Sequence, residues 1–219
     1  MDIDLSLHEA IFTTRAMRRL KPDPVAAQDL EYIVEAATMA PSAGNRQFWG
    51  FVVVTDPVVR ERIGAAHREV GEAYIRDGVL AEADLADDIR RVYTRAMHTV
   101  EHLGEAPAII VACLQMPVPD DAATASGLFG SIFPAVQNLM LAARSRGLGT
   151  TLVTLATSYS PVQPSSVEPI DSILGLPEDV GAVALIPVGY PRGHWGRPWH
   201  RPASSCTYWD RWGAQRAES

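Results

Sequence analysis

The apolar positions of this chain alternate between two rhythms. In "LSLHEAIFTTR", Leu5, Leu7, Ile11 and Phe12 recur at mostly helical spacing, and Pro22 and Pro24 stop any continuation. "AAQDLEYIVEAATMA" places Leu30, Ile33, Val34 and Ala37 on one stripe and ends before Pro41. "FWGFVVVTD" changes to a short β-rich apolar run, which predicts a buried strand. From Pro57 to about Leu103 the chain turns charged and alanine-rich, with loose helical periodicity around Gly71 and Gly78, and predicts a helical excursion or lid. "APAIIVACL" returns to a buried strand, roughly Ala108 to Leu114. The longest helix candidate follows in "TASGLFGSIFPAVQNLMLAARSRG": Phe129, Phe133, Val136, Met140 and Leu141 recur at 3- and 4-residue steps, with Pro134 as a kink or near the start and Gly147 as the C′ residue. "GTTLVTLA" and "GAVALIPVGY" read as strands, separated by a Pro- and Ser-rich loop and the short helix "SVEPIDSILG". The tail after Pro191 carries Trp195, Trp199, Tyr208, Trp209 and Trp212 without periodicity, so it is expected to pack against something, a partner subunit included. Strands separated by helices give an α+β or α/β domain in three layers.

Bulk properties narrow the class. At 219 residues the chain is long enough for one sizeable domain with its own core. Its composition, 47% hydrophobic and 21% charged, is that of a soluble globular protein. A net charge of −7 argues against general nucleic-acid binding, which needs a broad basic surface. No apolar run approaches the roughly 18 residues of a membrane span. The start, "MDIDLSLHEA", is acidic and lacks the apolar stretch of a signal peptide. Cys113 and Cys206 are too few for a disulfide framework, so the expected setting is the cytoplasm, with reduced thiols.

Against that acidic background, "TTRAMRRLKPDP" packs Arg15, Arg18, Arg19 and Lys21 into seven residues. If this is a last helical turn, Arg15, Arg18 and Arg19 point one way. Two readings stay open on these residues: basic groups complementing a helix C-terminus, or guanidiniums converging on a phosphate. The loop "APSAGNRQFWG" offers Ser42, Asn45 and Gln47 to a polar heterocycle, and would serve equally well as an ordinary helix-to-strand connection. "GLGTTLVTLAT" matches only part of a dinucleotide fingerprint and follows a helix rather than a strand, so that motif fails on context. His98 and His102 sit four apart with Glu101 between them, but a third metal ligand is missing and no metal is expected. No nucleophile elbow occurs, and Cys113 lies among apolar neighbours. No side chain is therefore assigned a catalytic role, and a bound cofactor is expected to carry any chemistry.

Taken together, four segments in order resemble the FMN-dependent nitroreductase family: "TTRAMRRLKPDPV", "APSAGNRQFWGFVVV", "AVQNLMLAARSRGLGTTLVT" and "VALIPVGYPRG…HRPASSCTYWDRW". The resemblance runs from about Leu7 to Trp212. It implies that Arg15 and Arg18 hold the FMN phosphate, with Arg19 beside them. Ala16 stands where the family commonly has serine and contributes backbone only. Ser42 and Asn45 would reach the flavin of the partner subunit. Phe48 replaces the usual proline before Trp49. Thr154, Leu155 and Ala156 would pass the flavin N5, and His200 and Arg201 match a basic pair near the C-terminus, His200 at a position often held by arginine.

The implied fold is α+β. A four- or five-stranded mainly antiparallel sheet lies between helices in three layers, α/β/α, within an interlocked homodimer. Residues 1–219 would form one FMN-binding domain with a lid at about 57–103 and a C-terminal arm at about 191–219. The implied activity is hydride transfer from NADH or NADPH, through FMN, to nitroaromatic, quinone or related electrophilic small molecules. Neither nucleic acid nor membrane would be a partner. Two alternatives share the fold: a specialised dehalogenase, oxidase or flavin-destroying reaction set by the lid, and a non-catalytic flavin-sequestering protein, motivated by Ala16 and His200.

Overall fold

Strand β2 (Ala108–Leu114) is buried at every position, and that single fact organises the computed structural model, which describes residues 5–118 and 120–214. A strand with no polar alternation must be covered on both faces. β2 pairs antiparallel with β1 (Trp49–Val54) on one side and with β4 (Gly181–Gly189) on the other, and β3 (Gly149–Thr150) closes the order β1-β2-β4-β3. Ala108, Ile110, Ala112 and Leu114 point into one core, against α2 (Ala27–Thr38) and α5 (Ala122–Ser145). Ile109, Val111 and Cys113 point into the other, against α3 (Pro57–Gly71) and α6 (Ile170–Leu174). The result is an α+β molecule in three layers, as expected. β1 lies at the sheet edge rather than fully inside, with Val53 41% exposed.

Local chemistry explains most boundaries. The Asp56 carboxylate accepts from the Val58 and Val59 amides, and Pro57 occupies the first helical position, so α3 starts where it does. α5 is long and apolar enough to cross a membrane by length and composition. Its Leu128, Ile132, Ala135, Val136 and Leu139 are buried in the first core, and Pro134 is accommodated inside it. Gly147 adopts φ 73° just beyond it, and Gly175 ends α6 at φ 62°, both in the left-handed region that glycine tolerates.

Two expectations change. "GTTLVTLA" forms only the two-residue β3, followed by an isolated bridge between Val153 and Leu185. The N-terminal helix α1 (Leu7–Thr13) ends before the arginines, and residues 14–20 run extended. The two changes share one cause. The extended segment lies alongside β3 and the end of β4: the Met17 amide donates to the Thr150 carbonyl, Lys21 to Tyr190, and Arg192 to Arg19. Gly149 permits the approach, since a Cβ there would sit 2.8 Å from Met17 Cβ.

The excursion at about 57–103 is helical: α3, short turns, then α4 (Asp87–His102). Ile75, Met97 and Val100 form a small third core that includes Leu155. In the tail, Trp195 lies under the Arg144 guanidinium, 4.2 Å from its ring centre, while Trp199 and Trp212 remain 86% and 88% exposed. Part of the tail thus packs within the chain, and part does not.

Candidate functional site

The extended segment determines where the arginines go. Met17 turns inward and is buried; its neighbours Ala16 and Arg18 then face the other way, Ala16 exposed and Arg18 half-buried. Because α1 stops at Thr13, the reading of these arginines as dipole-complementing residues at a helix end falls. They instead line a cavity of about 690 Å³ with Arg95 and His98 of α4 and Arg192, and no carboxylate among the described residues lines it. Arg15 is tethered by a 2.8 Å bond from Nη2 to the His194 carbonyl, and Arg192 by a 3.0 Å bond from Nε to the Leu20 carbonyl. Arg18 makes no hydrogen bond or ion pair among the described residues. Burial, and then the nearby Arg95 charge, lower its pKa. His98 is also shifted down, by burial first and then by His102 and Arg19.

Arg18 also borders a second cavity of about 360 Å³, lined by Thr154, Leu155, His67, Tyr74 and Tyr93. The basic segment and the turn after β3, separate in sequence, therefore meet at one side chain. Ala156 ends the turn at φ 62° and is buried. A non-glycine residue there stores of order 1–3 kcal/mol of strain, held by surrounding structure. Thr157 Oγ1 donating to the Thr154 carbonyl at 2.8 Å is part of that hold.

Other predicted residues lie elsewhere. Ser42 and Asn45 belong to a tight turn in which Asn45 and Gln47 have φ 52° and 53°. Ser42 Oγ accepts from the Gln47 amide at 3.2 Å, and Asn45 Oδ1 from Gln47 Nε2 at 2.9 Å. The Ala43 amide donates to Ser131 Oγ, tying the turn to α5 beside a mainly apolar groove of about 320 Å³. Ser42 and Asn45 line neither arginine-bordered cavity. His200 and Arg201 are exposed, line neither cavity, and make no hydrogen bond or ion pair among the described residues.

Sequence reasoning missed Arg95, Arg192 and His67. Arg95 and His98 are one turn apart on α4, a signal that was present but read only through the His98–His102 spacing. Among the described residues no group of three could hold a metal. The Cys113 thiol is pushed up to about 12, first by burial and then by Asp171, which leaves it inert.

The geometry thus brings a cavity lined by arginines beside a turn at the sheet edge. The model of the nitroreductase family matches residues 11–190. The chain belongs to the nitroreductase family. Among its nitroreductase-family relatives, an NADH dehydrogenase of Thermus thermophilus is 30% identical over 212 residues, covering 94% of this chain and 96% of its own. A 5,6-dimethylbenzimidazole synthase of Rhodospirillum rubrum is 30% identical over 196 residues, covering 84% and 82%. An oxidised iodotyrosine deiodinase, solved with FMN and 3-iodo-L-tyrosine, superposes with a TM-score of 0.67 at 21% identity over 90% of this chain and 95% of its own, a likeness of fold.

Proposed function

We propose that this chain is an FMN-dependent oxidoreductase that takes electrons from NADH or NADPH and delivers them to a small electrophilic acceptor such as a nitroaromatic or a quinone. The observation that carries the reading is Arg18. A half-buried guanidinium beside the like-charged Arg95, with neither a partner nor a lining carboxylate among the described residues, is unfavourable until an anion arrives. A phosphate monoester supplies two negative charges and acceptors matched to guanidinium forks.

FMN fits what the chain offers: cations in one cavity, and next to it a partly aromatic cavity whose described lining is uncharged apart from the shared Arg18. Arg15 and Arg18 would bind the phosphate, Ala16 would contribute backbone only, and Arg19, Arg95 and Arg192 would add to the attractive field. Thr154, Leu155 and Ala156 would bear on the ring, with the strained Ala156 turn holding their backbone groups in place. When bound, FMN supplies reversible electron transfer that no side chain here can perform. Leu155, packed under the excursion, would keep water from that face.

Ser42 and Asn45 would act on the partner subunit's cofactor, so the reading includes a homodimer. His200 and Arg201 would join the phosphate from the exposed arm. The exposed Trp199 and Trp212 favour burial of that arm against a second copy. Residues 1–219 would then work as one flavin-binding unit, in the cytoplasm, without nucleic acid or membrane.

The test is the visible spectrum of purified protein before and after anaerobic NADH or NADPH. A flavin band bleached by either donor is expected; a flavin-loaded protein reduced by neither overturns the donor assignment. A second reading, a specialised reaction on the same cofactor, is favoured by the contact between the helical excursion and Leu155, which gives α3 and α4 access to the substrate side. Turnover of an acceptor without any nicotinamide donor would select it.

A further inference from the structure

Three residues that line one cavity each carry a buried polar atom without a partner among the described residues. The atoms are His67 Nδ1 on α3, Thr99 Oγ1 on α4 and Thr151 Oγ1 just after β3. All are deeply enclosed: His67 is 1% exposed, Thr99 7% and Thr151 4%. Each unsatisfied buried group costs about 1–3 kcal/mol, and native structures hold few of them. Their convergence from three separate elements on one space of about 360 Å³ therefore points to an occupant.

The lining chemistry limits what that occupant is. Two hydroxyls and one imidazole can each donate or accept. Burial keeps the imidazole neutral by lowering its pKa to about 4, with the Val100 backbone opposing and Arg68 assisting. Tyr74, Tyr93, Ile75 and Val100 supply flat and apolar walls, and Arg18 is the one formal charge among the described lining residues. Such a set suits an uncharged, planar heterocycle that presents N–H and C=O groups side by side, and it suits an anion poorly.

We propose that His67, Thr99 and Thr151 recognise the uncharged pyrimidine-type edge of the flavin ring, with Arg18 shared between this cavity and the phosphate cavity. The proposal rests on the FMN reading and adds residues to it. Division of labour follows: arginines select the phosphate, and the His67 group selects the ring.

The test uses full-length protein stripped of flavin and titrated by quenching of ligand fluorescence. The probes are FMN, lumichrome (the ring without side chain or phosphate) and FMN methylated at N3, which lacks one edge N–H. His67→Leu is expected to weaken FMN and lumichrome alike by roughly tenfold or more. Thr99→Val and Thr151→Val are expected to weaken both severalfold. Arg15→Ala should weaken FMN and leave lumichrome unchanged. On unmodified protein, N3-methyl-FMN should bind at least about tenfold more weakly than FMN, a result that needs no variant to fold. Equal affinity for FMN and its N3-methyl form, or unchanged ring binding by His67→Leu, overturns the proposal while the FMN reading stands, and leaves the cavity to water. Failure of unmodified protein to bind FMN at all overturns both.

Discussion

Two basic stretches of this chain carry the same expected role and meet opposite structural fates. Residues 14–20 are held along β3 and β4 by backbone bonds from Met17, Lys21 and Arg192, so Arg15 and Arg18 open into a defined cavity. His200 and Arg201 lie on an exposed stretch with no bond to the rest of the described chain. An arginine on a fixed backbone gives up little freedom on meeting a phosphate; one on a loose arm must be ordered first. The difference teaches that one half of the proposed phosphate grip belongs to the single chain, and the other depends on whatever covers the arm.

The largest break should come from the held half. Replacing both Arg15 and Arg18 with alanine removes two charge-assisted contacts of about 1.5–3 kcal/mol each, so FMN affinity should fall by roughly 10²- to 10⁴-fold. Flavin absorbance after desalting reads the loss, with circular dichroism reporting an intact fold. Full flavin retention by the double variant would sink the phosphate assignment.

Next in size is the cavity beyond Arg18. His67 has a folded pKa of about 4 against 6.5 for the free group. Between those values the unfolded chain takes up a proton that the folded chain refuses, so stability falls as pH drops from 6.5 towards 4. The total is about 3 kcal/mol, and at neutral pH and above the contribution is intact. Denaturant titrations of the cofactor-free protein at pH 7 and pH 4.5 should show most of this loss, and His67→Gln should lose about 2 kcal/mol less over that interval. An identical pH dependence in the variant would mean that His67 is not the group refused its proton.

A smaller break targets the hold itself. Gly149→Ala puts a Cβ 2.8 Å from Met17 Cβ and 3.2 Å from Pro191 Cβ, and should cost about 1–3 kcal/mol while displacing the arginine segment. FMN binding should weaken along with the melting temperature. A variant that binds FMN normally would show that the segment does not need this seat.

The arm should respond least. His200→Ala with Arg201→Ala is expected to lower FMN affinity only severalfold, and only at concentrations where the protein is dimeric by sedimentation. An effect as large as that of Arg15 and Arg18 would erase the contrast.

Much of the fold was legible because its signals are local. The apolar runs of β2 and β4 act over a few residues, and both strands formed where expected. The misreadings cluster where distant segments touch. Nothing within "TTRAMRRLKPDP" announces that its amides will bond to Thr150 and Tyr190, so the residues alone leave a helix end and a phosphate site both open. "GTTLVTLA" was read as a full strand because its β-branched residues favour one, but pairing with β4 extends over only two of them. Arg95 and Arg192 were passed over because each looks like a solvated surface charge until α4 and the end of β4 meet beside Arg18.

The sequence by itself determined the three-layer class, the positions of the buried strands and the presence of a concentrated basic cluster in an acidic chain. Those follow from hydrophobic period and composition, which act along the chain. Only the tertiary structure decided that Arg18 has no partner among the described residues, that it joins two cavities, and that His67, Thr99 and Thr151 line one of them. Whether a polar group is satisfied depends on what folds against it, and its neighbours here lie tens of residues away in the chain.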